Sequence, residues 1–381
     1  MDTTCLTDEK WQKDEAAPPD SAAPEGLLGG KNALGGPASF VREHALTLAG
    51  SVLFVGGLLW LLHQGALPVV PPAEAWARLH GWSIATYVGA FSLVHFLRCV
   101  RWGLLIEARQ RPPLRLVLSI GLVGYAALVL LPFRLGEAAR PALLYSRARV
   151  PLGTSAGVVG AERIVDGLVL SSLLLAALLG ADRVSPLPDH IGQLPIPAAV
   201  IPGLAWAGVV VFGCLSIGMV AFYFWQSRLA RLIEVIVGGI SPGLARRISG
   251  AAVSVAGGLR FLRDGGAAAR FGLLTLLYWG ANAAGIWLLL WGCGLPSPSI
   301  GEAIVILGVL GLGLVVPNAP GFFGTFQIAA YSAMVLFYPL GAVTLAGSAF
   351  VFSLYVIQIG MILVAGGAAF LLGMRRRAPA H

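Results

Sequence analysis

Arg134, Glu137 and Arg140 stand three residues apart in "LLPFRLGEAARPALL", directly after an apolar run that ends at Pro132. A second set, Glu162, Arg163 and Asp166 in "GAERIVDGL", lies in the first half of another apolar segment. On a helix the spacing i, i+3, i+6 puts the first three side chains on one face, and Glu162 stacks against Asp166 at i, i+4. Arginine offers a planar fork that binds carboxylate or phosphate bidentately and stays charged when desolvated. One reading is therefore anion recognition, in which Arg134 and Arg140 exceed what the local carboxylates need. The other is a buried ion-pair network that fixes geometry without chemistry. Both hold together if Glu137, Glu162 and Asp166 position the arginines and Arg134 meets the ligand.

The elements around these charges belong in a membrane. Mean hydropathy is +0.81, and residues 45–374 are dominated by Leu, Val, Ala, Gly and Ile in runs long enough to cross a hydrocarbon core of roughly 30 Å. Each of the six charges would cost about 2.5–3.5 kcal/mol facing lipid, roughly 15–20 kcal/mol together. They are expected to face inward and meet one another. Hydropathy predicts six crossings, at 45–62, 82–100, 155–180, 200–224, 270–292 and 342–372. Two further apolar segments are interrupted: 114–148 at "PFRLGE" and 302–338 at "PNAPGFFG".

Positive charge orients the chain, because short loops rich in Lys and Arg stay cytoplasmic. Arginines crowd 98–115, 140–149, 225–270 and 375–377, whereas 271–374 holds neither Lys nor Arg. All basic loops fall on one side if both interrupted segments enter and return. The expected fold is an all-α polytopic membrane protein with six spanning helices plus two re-entrant broken hairpins. Span, hairpin and span over 82–180 would recur over 270–372 with opposite orientation, an inverted repeat of the kind many secondary transporters use. Asn318, Gly321, Gly324 and Gln327 mark the second break, where a half-helix N-terminus would favour an anion. Opposed to the arginines of the first hairpin, it would complete a substrate cavity.

Residues 1–43 read as a polar, Pro/Gly-rich cytoplasmic tail without signal-peptide features. Residues 44–374 form the membrane domain and 375–381 a basic cytoplasmic tail. Within the domain, 225–269 reads as an amphipathic connection in the cytoplasmic interface. Cys5, Cys99, Cys214 and Cys293 have no metal-ligand or disulfide spacing. No nucleotide loop, metal cluster or catalytic triad stands out, so neither enzymatic activity nor a cofactor is expected. Nucleic acid is not an expected partner.

"FRLGEAARPALL", "VVGAERIVDGLVL" and "VPNAPGFFGTFQ", in that order, resemble the flippase-like membrane domain of the lysylphosphatidylglycerol synthases. That family's R-x-G-E-x-x-R falls on Arg134, Gly136, Glu137 and Arg140. Its E-R-x-x-D falls on Glu162, Arg163 and Asp166, and its P-G-x-x-G on Pro320, Gly321 and Gly324; Arg101 and Trp102 match an R-W pair. Gln327 stands where many relatives carry Glu. The aminoacyltransferase domain of the bifunctional synthases is not expected, nor is synthesis of lysyl-lipid. The resemblance implies movement between leaflets of a lipid with an anionic, phosphate-containing headgroup, in the cytoplasmic (inner) membrane, with both termini cytoplasmic. The alternatives are a secondary transporter of a soluble organic anion and a non-transporting accessory subunit. A homo-oligomer and a lipid-biosynthesis partner remain open as assemblies.

Overall fold

The computed structural model describes residues 45–106, 112–131, 136–181, 184, 189–190, 197–239, 241–315 and 320–375. The 1–43 tail, Pro132, Arg134 and Asn318 lie outside the described residues. Among the described residues the chain is helical, with no strand. In hydrocarbon every backbone N–H and C=O must find its partner inside the protein, and a helix provides that within one segment.

The helices run α1 (Ala45–Gln64), α2 (Ala73–Ala77), α3 (Gly81–Leu105), α4 (Leu114–Leu130), α5 (Ala139–Ala148), α6 (Leu152–Gly180), α7 (Val200–Gly238), α8 (Pro242–Gly257), α9 (Gly265–Gly292), α10 (Ile300–Gly313), α11 (Thr325–Met334), α12 (Leu340–Thr344) and α13 (Ala346–Arg375). Five of them, α3, α6, α7, α9 and α13, are long and apolar enough to cross a membrane. The chain is thus a multi-pass helical membrane protein. Of the two buried apolar clusters, the larger is centred on α9 to α13, and the smaller surrounds Trp102, Leu144, Val158 and Phe271.

The expected interfacial connection is only partly separate. No Gly or Pro interrupts residues 225–237, so α7 continues unbroken for 39 residues, about 58 Å at 1.5 Å per residue. Its second half is the extension of a crossing helix. Only α8 stands apart, capped by the Ser241 side chain, which accepts from the Leu244 N–H at 3.3 Å.

Both interrupted segments fold back on themselves. A Cβ placed at Gly136 would fall 2.2 Å from the Ala127 carbonyl oxygen, and one at Gly124 would fall 2.2 Å from Arg140 Cγ. As the residue number falls on α4 it rises on α5, so the two run antiparallel. In the second segment Gly313 lies opposite Ala329, and the Tyr338 hydroxyl donates to Glu302. That turn is made by Gly321 at φ 71° and Gly324 at φ 84°, a backbone region glycine enters without steric cost. Gly136→Ala is expected to lose about 1–3 kcal/mol of stability, because the added methyl meets backbone that cannot move aside. Thermal unfolding in detergent measures this; an unchanged midpoint would mean the hairpin is looser than its geometry.

The two segments open toward opposite ends of the bundle. Helices α3 and α9 are antiparallel: Ser83 lies against Gly292, Ala90 against Gly285, and Arg101 donates to the Thr275 hydroxyl at 3.0 Å. At one end Arg147, near the end of α5, lies beside Gly373, and the start of α6 packs on the end of α8 through Gly157 and Val255. This end collects the arginines of 260–270 as well. At the other end Glu302 meets Tyr338 and the Val184 N–H donates to the Leu336 carbonyl at 2.9 Å. The packing also pairs α4 with α13 and α10 with α6, α5 with α6 and α11 with α13. Exchanging α3, α4, α5 and α6 for α9, α10, α11 and α13 therefore reproduces the principal neighbours.

Candidate functional site

The deepest charge is Arg101, 1 % exposed. The hydropathy pattern ended the second span at residue 100 and counted Arg98 and Arg101 in a basic segment at 98–115, but α3 continues to Leu105 and carries both inward. The Arg101 fork grips Asp166: Nη1 donates to Oδ1 at 2.5 Å and Nη2 to Oδ2 at 2.9 Å. Nη2 also reaches Glu162 Oε1 at 3.3 Å. The Tyr278 hydroxyl donates to Asp166 Oδ1 at 2.6 Å. From the first hairpin, Arg140 Nη1 donates to the other Glu162 oxygen at 2.9 Å. Glu162 thus bridges Arg101 and Arg140, tying α3 and α5 to α6.

The i, i+4 stack of Glu162 and Asp166 faces this network, whereas Arg163 points elsewhere and lies 3.6 Å from Glu137. Arg98, one turn before Arg101 on α3, sits with its guanidinium carbon 4.6 Å from the Tyr125 ring centre and 5.8 Å from that of Tyr278. Such cation–aromatic contacts hold the group in place without neutralising it. No carboxylate among the described residues lies within ion-pair distance of Arg98. Among the described residues the cluster holds four guanidiniums, Arg98, Arg101, Arg140 and Arg163, and three carboxylates, Glu137, Glu162 and Asp166.

Beside the network is a cavity of about 450 Å³, lined by Arg98, Glu137, Arg163 and Asp166 with Tyr278, Asn282 and Gln358. The rest of its wall is mostly apolar, with Leu307, Leu310, Phe322 and Ile362 from the second hairpin and α13, and includes His95, Tyr125 and Trp279. A pocket with a few convergent polar groups in an apolar shell has the ordinary make-up of a ligand site.

Of the sequence candidates, Glu137, Arg163 and Asp166 line this cavity. Arg140 and Glu162, each 2 % exposed, lie behind it in the ion-pair network. Gly321 and Gly324 shape the second turn outside the lining. Gln327 is buried and turned to its own helix, where its Oε1 accepts from the Gly324 N–H at 2.7 Å; that N–H is therefore not open to a ligand. Thr275, Tyr278 and Asn282 escaped the sequence reading, although they form an i, i+3, i+7 polar stripe on apolar α9. That stripe is the signal that finds them.

Residues 48–376 match the family model described as the lysylphosphatidylglycerol synthase TM region. The chain belongs to this family. No curated protein and no solved structure matches it. The lysylphosphatidylglycerol synthase TM-region match extends from within α1 to just past α13, so both hairpins, the network and the cavity fall inside it. Membership in this family connects the chain to membrane-lipid chemistry.

Proposed function

We propose that this protein moves a lipid with an anionic, phosphate-containing headgroup from one leaflet to the other, and that the headgroup occupies the cavity beside Arg98. The observation that carries this reading is the surplus guanidinium: four arginines face three carboxylates, and Arg98 is the one held only by aromatic rings among the described residues. A desolvated guanidinium is stabilised by a charge-assisted bond to phosphate, which arginine makes bidentately. The cavity is the right size for a headgroup, and its apolar wall suits the adjoining glycerol and upper chains better than a soluble anion.

The topology that serves this function is six crossings with two re-entrant hairpins in an inverted repeat, the sixth crossing being α1. The antiparallel course of α3 and α9 supports it, as do the two hairpins opening at opposite ends. The arginines gathered at one end, Arg147 and those of 260–270, favour a cytoplasmic orientation for that end under the positive-inside rule, in keeping with an inner-membrane location. In such a topology, broken backbone within the membrane is tolerated only where it is packed in protein or lines a cavity.

Reconstitution tests the reading. Purified protein in liposomes carrying a fluorescent phosphatidylglycerol is exposed to a membrane-impermeant quencher. Quenching beyond the outer-leaflet half is expected with protein and not with empty liposomes. Identical plateaus in both would overturn the lipid reading. Uptake of a soluble organic phosphate in place of lipid movement would favour a soluble-anion carrier.

A further inference from the structure

Helix α6 has a partner on each flank, and one of the two stops half-way. On one flank α7 packs antiparallel, with Gly208 against Ser171 and Phe212 against Gly167. On the other α10 packs antiparallel, with Gly308 against Leu174 and Gly311 against Leu170. Helix α10 ends at Gly313, less than one turn past its contact with Leu170 and so about level with Gly167. Gly167 is near the middle of α6 (Leu152–Gly180), which puts this level deep in the bilayer. From there the second hairpin turns away, and its Pro320–Phe322 turn packs on α4. One turn earlier Leu312 still reaches α7, where a Cβ placed at Gly208 would fall 3.6 Å from Leu312 Cδ1. At the level where α10 stops, the contribution of α7 to the cavity lining among the described residues is Phe212 alone.

The Phe212 ring rests directly on the α6 backbone, since a Cβ placed at Gly167 would fall 2.3 Å from it. Around it on α7, Val210, Val211 and Leu215 are exposed and in a membrane face lipid. Val315, from the same side of the cavity lining, is itself 49 % exposed. This side is apolar throughout, with Phe212, Leu312, Leu314 and Val315, whereas Arg98 and Glu137 enter the lining from α3 and the first hairpin. An amphiphile with its headgroup at Arg98 must keep its alkyl chains in apolar surroundings, and this side leads from the cavity to hydrocarbon. We propose that the alkyl chains of the transported lipid leave the cavity between α6, α7 and the end of α10, and that Phe212 sets how bulky a chain passes. This rests on the lipid reading given above and adds a selection to it: the arginines read the headgroup, and the ring on Gly167 reads the chain. Phe212 has lipid beside it, so its ring swings off Gly167 without breaking a hydrogen bond.

The test uses full-length protein in the liposome quenching assay with two phosphatidylglycerol probes. Both carry the same short fluorescent chain; the other chain is straight palmitoyl in one and methyl-branched phytanoyl in the second. The readout is the ratio of their rates, which a change in folded fraction or headgroup affinity leaves untouched. Wild type is expected to move the straight-chain probe about tenfold faster, the low end of what a misfitting methyl group costs in a tight apolar site. Phe212→Ala is expected to bring the ratio close to one by speeding the branched probe, and Phe212→Trp to widen it. Gly167→Ala keeps the ring but pushes it off its seat, and is expected to follow Phe212→Ala. Equal rates for the two probes on wild type would overturn the passage, as would a ratio unchanged in all three variants. In both cases wild type still moves lipid and the lipid reading survives. If wild type moved neither probe, the lipid reading would fail and the passage with it.

Discussion

Arg101→Met lowers the stability of the folded protein by about 3–5 kcal/mol, the cost of stripping a buried carboxylate of its partner. The replacement fills much of the volume but supplies no donor. Among the described residues Asp166 then keeps only the Tyr278 hydroxyl, and Glu162 only Arg140. Both carboxylates are left under-paired in a low-dielectric setting, and the helices α3, α6 and α9 lose the contact that fixes their mutual rotation. The expected result is a sharp fall in membrane yield and in the thermal midpoint in detergent. The triple change Arg101→Met, Glu162→Gln, Asp166→Asn removes the stranded charges and is expected to recover part of the loss. A single Arg101→Met protein as stable as wild type would show that the bidentate pair contributes nothing to the fold.

Arg98→Ala gives the opposite pattern. Its guanidinium stacks on Tyr125 and Tyr278 and leaves no carboxylate stranded among the described residues when removed. Stability is therefore expected to change by about 1–2 kcal/mol, the worth of largely desolvated cation–aromatic contacts. Transport of labelled phosphatidylglycerol in the quenching assay is expected to fall tenfold or more, since a charge-assisted bond to phosphate is worth about 1.5–3 kcal/mol. Arg98→Lys is expected to recover only part of the rate, because an ammonium is a point charge without the fork. If Arg98→Ala moved lipid at the wild-type rate, the surplus charge would have no role in recognition. If Arg98→Ala failed to fold, Arg98 would belong with Arg101 in the structural network.

Together the two variants separate the readings that the charged motifs leave open from sequence. On the proposed function, ion-pair architecture and anion recognition fall to neighbouring arginines on one helix, one turn apart. Arg101 faces α6 and α9 and is neutralised; Arg98 faces the cavity.

What the sequence determined by itself follows from local, additive energetics. Apolar length placed five of the six expected crossings, because insertion free energy sums along one segment. Pro and Gly located both breaks: α4 ends just before Pro132, and the second turn uses Gly321 and Gly324 at positive φ. The cost of charge in lipid sent Glu162, Arg163 and Asp166 inward, and each is now found beside the cavity or in the network. The tertiary structure alone decided who pairs with whom. Arg98 and Arg101 lie close enough to the end of α3 that their long side chains satisfy two readings equally, reaching out to a basic interface or turning into the bundle. The choice is made by the crossing of α3 with α6 and α9, which brings Asp166 and Thr275 to Arg101 from 65 and 174 residues away. Helix rotation and register set that meeting, and neither is written in the periodicity of any one helix. The same holds for His95 and Asn282. Neither helix by itself brings them together; the antiparallel packing of α3 on α9 puts both in the lining of one cavity.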